Sequence, residues 1–186
     1  MPNGPPGLLP TGIRGLEREE DARRRGATMH AVLAGYGSSC DAAHIVAPDH
    51  DGQVAAMGAA VADAGVDRGA VDYINAHATS TPVGDIIETR AIKAFFGDRS
   101  GDIAVSATKS LFGHTIGAAA AIGSIATVMS LRSGIIHPTI NFEETDPECD
   151  LDYTPNEARE RAVQVGLCNA FGFGGNNVSL IFTTTA

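Results

Sequence analysis

Three features of the sequence predict an α/β fold. Short apolar runs alternate along the chain with amphipathic stretches of helical period. Glycine and proline mark the joins between them. The last two apolar runs are separated by only a brief glycine-rich segment, as in an antiparallel strand pair. Such alternation implies a largely buried sheet with helices on its faces.

Each element can be justified in turn. Residues 1–15, MPNGPPGLLPTGIRG, are rich in proline and glycine and carry no period, so they read as a flexible lead-in. Residues 16–25 are highly charged and read as a helix stopped by Gly26. Residues 29–36 form an apolar strand, followed by a turn-like Gly37-Ser38-Ser39 that leaves Cys40 in a loop. After Pro48, Asp49, Asp51 and Gly52, a helix is expected where Val54, Met57, Val61 and Ala64 recur at helical spacing, ending at Gly65. Residues 71–75 read as a short strand and 77–84 as a polar loop. Residues 85–96 read as a helix with Ile87, Ala91 and Phe95 on one face. A strand over 103–107, a loop over 108–114 and a long buried helix over 115–132 follow. Residues 138–155 are an irregular acidic connection, and 163–170 and 178–183 are strands flanking the glycines of 172–175.

Composition bounds the function. The chain has 186 residues, enough for one domain with a real core. It is 44% hydrophobic and 19% charged, as in an ordinary globular protein. The net charge is -9, and no basic stripe is visible beyond Arg23, Arg24 and Arg25, which argues against nucleic-acid binding by phosphate neutralisation. Cys40, Cys149 and Cys168 are too few and too scattered for a disulfide framework or a metal site, so a reducing cytoplasm is expected. The apolar stretch 116–131 is rich in alanine and glycine and runs into Arg132, which fits a core helix better than a membrane span. The N-terminus carries no apolar core of a signal peptide.

Four constellations can carry chemistry. In NAHATST (75–81) a histidine among small residues and hydroxyls follows a strand, where it can face a substrate or serve only turn chemistry. In SATKSLFGH (106–114) Lys109 and His114 stand before a very apolar helix, whose positive end would lower the pKa of His114 and keep the ring neutral; the alternative is a solvated lysine and a structural histidine. In NAFGFGGNN (169–177) three glycines in four positions allow a turn that presents backbone N–H groups, as in an oxyanion hole, or a plain glycine-rich hairpin. Asp85 and Glu88, spaced i, i+3, fit a helix capping box or a carboxylate pair holding Lys109.

Taken in this order and spacing, the motifs NAHATST, SATKSLFGHTIGAA, HPTINFEETDPECDLDYTPNEAR and NAFGFGGNN resemble one family. Residues 16–186 are similar to the C-terminal half of a β-ketoacyl-acyl-carrier-protein synthase of the type II, elongating kind. The resemblance implies a thiolase-like fold, of which this chain is one half: a five-stranded mixed sheet with helices on its faces. It implies decarboxylative condensation of an acyl thioester with malonyl-acyl carrier protein, in fatty acid or polyketide synthesis. By it His77, His114 and Lys109 are catalytic, and Asp85 and Glu88 support the lysine. Thr79 and Thr81 bind the phosphopantetheine arm, and Phe173 completes the oxyanion hole and gates the acyl pocket. No metal and no cofactor is implied, since substrates ride on the phosphopantetheine of acyl carrier protein. The implied partners are acyl carrier protein, the N-terminal ketosynthase half and, in the complete enzyme, a second copy.

The sequence departs from the family at three places. No cysteine lies in the family's nucleophile motif, so the chain is expected to be inactive alone. Gly123 stands where members often carry a glutamate, and residues 1–15 do not resemble the family, as in a truncated or rearranged product. A non-catalytic partner of the chain-length-factor kind, or an inactive fragment, is the alternative reading.

Overall fold

The structure, a computed structural model, describes residues 15–185, so the lead-in except Gly15 lies outside the described residues. Helix α1 (Glu19–Arg24) begins with acidic residues and ends with Arg23 and Arg24, complementing the helix dipole. Strand β1 (Val32–Cys40) follows. It starts later than expected and runs on through Gly37, Ser38 and Ser39, which are not a turn, and Cys40 is its last residue rather than part of a loop. The reason is helix α2 (His50–Ala64), which lies directly on this strand. A Cβ at Gly37 would fall 2.2 Å from the Ala56 carbonyl oxygen. The glycine is there for close backbone approach, not for a bend.

Strand β2 (Tyr73–Asn75), helix α3 (Gly84–Phe96) and strand β3 (Ala104–Ser106) come next. The stretch expected as a loop after β3 contains a helical turn, α4 (Lys109–Phe112). Helix α5 (Ala119–Ser133) is preceded by a 3-10 turn (Ile116–Ala118). The short pair β4 (Ile135–Ile136) and β5 (Arg159–Glu160) brackets the acidic connection. Strands β6 (Val165–Gly172) and β7 (Asn176–Thr183) close the chain as the expected antiparallel pair.

The five main strands form one mixed sheet in the order β1-β7-β6-β2-β3. β1, β7 and β6 are antiparallel neighbours, whereas β6, β2 and β3 run parallel. On one face α2 and α3 bury Met57, Val61, Ile92 and Phe96 against Ile74, Val105, Leu167 and Ile181. On the other, Leu131 of α5 joins Tyr73, Ile136, Cys168 and Phe182. The buried side of α3 is Glu88, Thr89, Ala91, Ile92 and Phe96, rotated from the expected Ile87, Ala91 and Phe95, because Glu88 turns inward to meet backbone amides.

Helix α5 is not buried all round. Gly123, Ser124, Thr127, Ser130 and Leu131 face the sheet, while Ile125 and Met129 are exposed. The stretch 116–133 is long and apolar enough to cross a membrane by length and composition. Its buried side is nonetheless that of a core helix: Ser124 and Thr127 return their hydroxyls to the carbonyls of Ala120 and Gly123, at 2.7 and 2.9 Å, and so bury no free donor.

Gly37→Ala tests the helix–strand contact. The added methyl meets backbone that cannot move aside, so the loss should be about 1–3 kcal/mol, the usual range for overpacking. A urea titration should show a lower midpoint at unchanged slope; an unchanged midpoint would show that α2 does not seat on β1 here.

Candidate active site

Parallel strands deliver the site. β6, β2 and β3 are adjacent and point the same way, so the loops after Gly172, Asn75 and Ser106 leave the sheet at one edge. In open α/β sheets that carboxyl edge is where ligands bind. The three separate motifs therefore meet: Phe173 follows β6, His77 follows β2 and Lys109 follows β3.

The His77 and His114 rings stand edge to face with centroids 5.9 Å apart and planes at 88°. Phe171 packs against His77 at 5.8 Å. Lys109 Nζ donates to the His77 carbonyl oxygen. Glu88, almost fully buried, receives the amides of His77 and Ala78 at 2.9 and 2.8 Å and the Asn169 side-chain amide at 3.1 Å. Asp85 accepts the Ser80 amide at 3.1 Å. Neither carboxylate caps α3, so the expected capping box is absent; Thr81 Oγ1 accepts the Gly84 amide at 3.1 Å instead. The expected carboxylate support of Lys109 is also indirect. Its ammonium is aimed at the His77 carbonyl, and Glu88 and Asp85 act on it only through their field.

Burial dominates the electrostatics. It drives the His77 pKa down to about 3, helped by the Lys109 charge and by His114. His114 is also lowered, as expected, with burial the larger cause and the Lys109 charge the next. The Ile116 amide donates to His114 Nδ1 at 3.3 Å, so the neutral ring carries its proton on Nε2. Burial lowers Lys109 as well, against the pull of Glu88, Cys168 and Asp85. Glu88 is raised by burial, with its three hydrogen bonds opposing. Burial likewise raises Asp85, against the backbone amides of Ser80 and Thr81.

Two cavities share this wall of residues. One, of about 490 Å³, is lined by His77, Lys109, His114, Gly123 and the 172–177 loop. The other, of about 610 Å³, lies towards Phe142, Cys149 and Tyr153. Thr79, Thr81, Asp85, Glu88, Lys109 and His114 border both. Thr79 and Thr81 place their hydroxyls 3.3 Å apart. Phe173, 77% exposed, heads a tight turn in which Gly174 and Gly175 take φ of 74° and 79°, values open to glycine. Cys168 is buried in β6, whereas Cys40 is exposed and donates its thiol to the Gly174 carbonyl.

Several residues of the site were given no role by sequence reasoning. Asn169 links Glu88 to Ser179, and Asn177 Nδ2 donates to Asp41 and to the Gly175 carbonyl. Asn169 and Asn177 lie inside a quoted motif, but nothing local singles out their partners. The 41–45 segment also reaches the glycine loop, where the Gly174 amide donates to the Ile45 carbonyl at 2.9 Å.

A five-stranded mixed sheet with helices on both faces and paired histidines at its carboxyl edge defines a thiolase-like half. The family model described as Beta-ketoacyl synthase, C-terminal domain, matches residues 30–143, and the chain belongs to that family. It is 49% identical over 174 residues to a 3-oxoacyl-[acyl-carrier-protein] synthase 2 of Synechocystis sp., covering 92% of this chain and 42% of that one. It is similar to the ishigamide ketosynthase/chain length factor, with TM-score 0.87 and 45% identity over 90% of this chain and 41% of that one. It is also similar to a type II PKS ketosynthase solved with its acyl-carrier protein (AntDE:AntF), with TM-score 0.88 and 35% identity over 90% and 42% of the two chains. The chain thus spans about two fifths of the length of these relatives.

The depressed His77 pKa predicts a pH effect with a definite sign. The unfolded ring binds a proton near its ordinary value of 6.5, the folded one only near 3. Between these values the unfolded state holds more protons, so His77 favours folding fully above 6.5 and loses that contribution as the pH falls towards 3. Urea unfolding followed from pH 7 to 4 should show a shallower acid loss in His77→Asn than in the parent chain. Parallel curves would mean that the ring is not buried neutral.

Proposed function

We propose that this chain supplies the enolate-stabilising half of a β-ketoacyl-acyl-carrier-protein synthase and works with a second half that carries the nucleophilic cysteine. The observation that carries the reading is the His77–His114 pair, edge to face at 5.9 Å, with both rings held neutral and His114 fixed as an Nε2–H donor.

The chemistry follows from those protonation states. When malonyl thioester loses carbon dioxide, the electrons of the broken carbon–carbon bond move to the enolate, and charge collects on the thioester oxygen. Two neutral imidazoles can donate hydrogen bonds to that oxygen and stabilise it as it forms. The enolate carbon then attacks the acyl thioester on the partner half, and the cysteine thiolate leaves. The Phe173 amide would join the cysteine amide in holding the second oxyanion, and the Phe173 ring would gate the acyl pocket. Lys109 steadies the His77 carbonyl and keeps its ring uncharged. Thr79 and Thr81, bordering both cavities, would bind the phosphopantetheine arm of acyl carrier protein. Residues 16–186 would be the ketosynthase C-terminal domain, and the complete enzyme a homodimer of the cytoplasm.

The test is reconstitution. The chain is mixed with a cysteine-bearing N-terminal half, and carbon dioxide release from malonyl-acyl carrier protein is measured. Release should require both halves, and His77→Ala or His114→Ala should lower it about 10²–10³-fold, as for loss of one oxyanion donor. Release that survives the loss of either histidine would overturn the reading. No release from the reconstituted pair would favour a non-catalytic partner of the chain-length-factor kind.

A further inference from the structure

Beneath the catalytic loops lies a buried polar chain that the reaction does not use. Its centre is His137, which follows β4 and comes from a part of the sequence remote from both loops. Its Nδ1 lies 3.1 Å from the Pro138 carbonyl oxygen. A carbonyl can only accept, so Nδ1 carries the ring proton and Nε2 is an acceptor. Nε2 faces three groups able to donate: Tyr73 Oη at 3.0 Å, Ser106 Oγ at 3.1 Å and Asn75 Nδ2 at 3.2 Å. Tyr73 Oη and Ser106 Oγ are themselves 2.7 Å apart, and Asn75 Nδ2 also reaches Tyr73 Oη at 3.1 Å. Asn75 Oδ1 in turn accepts from Thr108 Oγ1 at 3.1 Å.

The placement of these residues gives the chain its meaning. Tyr73 and Asn75 belong to β2, Ser106 to β3, and Asn75 pairs with Ser106 in the parallel ladder. Asn75 stands two residues before His77, and Thr108 immediately before Lys109. Tyr73, Asn75, Ser106 and Thr108 are all buried, so each lost partner would leave an unpaired polar group. The residues after His137 continue the support. Thr139 Oγ1 accepts the Ala107 amide at 3.1 Å, and Ser110 Oγ accepts the Ile140 amide at 3.0 Å.

We infer that His137, as the neutral ring protonated on Nδ1, is a positioning residue that locks the ends of β2 and β3 together and so sets the separation of His77 from Lys109. It touches no reacting atom. Its value to catalysis rests on the function proposed above, but the lock is a property of the folded chain and can be read without turnover.

The experiment is an imidazole nitrogen-15 spectrum of the full chain, with a pH titration. Nδ1 of His137 should give a protonated-nitrogen signal and Nε2 an unprotonated one; the reverse tautomer overturns the inference. His137→Phe keeps a ring but removes both nitrogens. It should loosen Lys109 from His77 and raise the His77 proton affinity about tenfold, one unit in midpoint. His137→Gln, which returns an acceptor to Asn75, should hold the midpoint near that of the parent chain. An unchanged His77 midpoint in His137→Phe overturns the inference. If that variant does not fold, Thr108→Val cuts the same chain at its far end and is read against the same two outcomes. Absence of ketosynthase activity after reconstitution would leave all these results standing, so the two readings fail separately.

Discussion

The buried carboxylate of Glu88 is the tie on which the site depends. It sits on α3, receives the amides of His77 and Ala78 from the loop after β2, and receives the side chain of Asn169 from β6. One side chain therefore joins three elements remote in sequence. A loop leaving a strand end ordinarily turns its amides to water; here two successive amides point inward, and the Glu88 carboxylate meets each with a separate oxygen. The His77 ring is thereby turned to the other side, towards the cavity it shares with His114. Removal of Glu88 would leave two backbone donors and an asparagine amide unpaired in the interior, a cost that falls on the catalytic loop first.

Burial also sets the charge of the histidines. His77 loses water on burial and faces the charge of Lys109, and both effects disfavour the imidazolium. Lys109 is itself partly desolvated, which lowers its pKa, and Glu88, Cys168 and Asp85 oppose that lowering. The lysine is thus an intermediary. The carboxylates oppose the lowering of its pKa by burial, its charge adds to the burial that keeps His77 uncharged, and its ammonium is spent on the His77 carbonyl. A direct Lys109–Glu88 ion pair would have left the His77 carbonyl unpaired and weakened the field at the ring.

Much of this was legible in the sequence because period and motif are local. The alternation of strand and helix, the closing antiparallel pair and the residues at the three loop tips all follow from short stretches of chain. What the sequence hid is what distance in space decides. Gly37-Ser38-Ser39 looks like a turn until α2 is laid on it and the glycine becomes a contact. The i, i+3 spacing of Asp85 and Glu88 fits a capping box, but the amides that claim Glu88 belong to the loop after β2 and not to its own helix. Helix α5 buries Ser124, Thr127 and Ser130 and exposes Ile125 and Met129, so no apolar period could tell its exposed side from its buried one. The polar chain through His137 joins residues more than sixty positions apart, so no local pattern could place it.

The exposed side of α5 runs up to the rim of the site. Ile125 and Met129 stand in solvent on a helix whose other side is packed on the sheet, and Ile116, before the first turn, is 72% exposed. The nearer cavity is bordered by the start of this same helix, at Ala119, Ala120 and Gly123, so the uncovered apolar surface and the histidine pair are continuous. Burial is the largest cause of the lowered pKa at both histidines, so any further loss of water from this cavity would lower both again. The apolar start of α5 is thus also the rim of the site, and water at that rim bears directly on how firmly both rings are held uncharged.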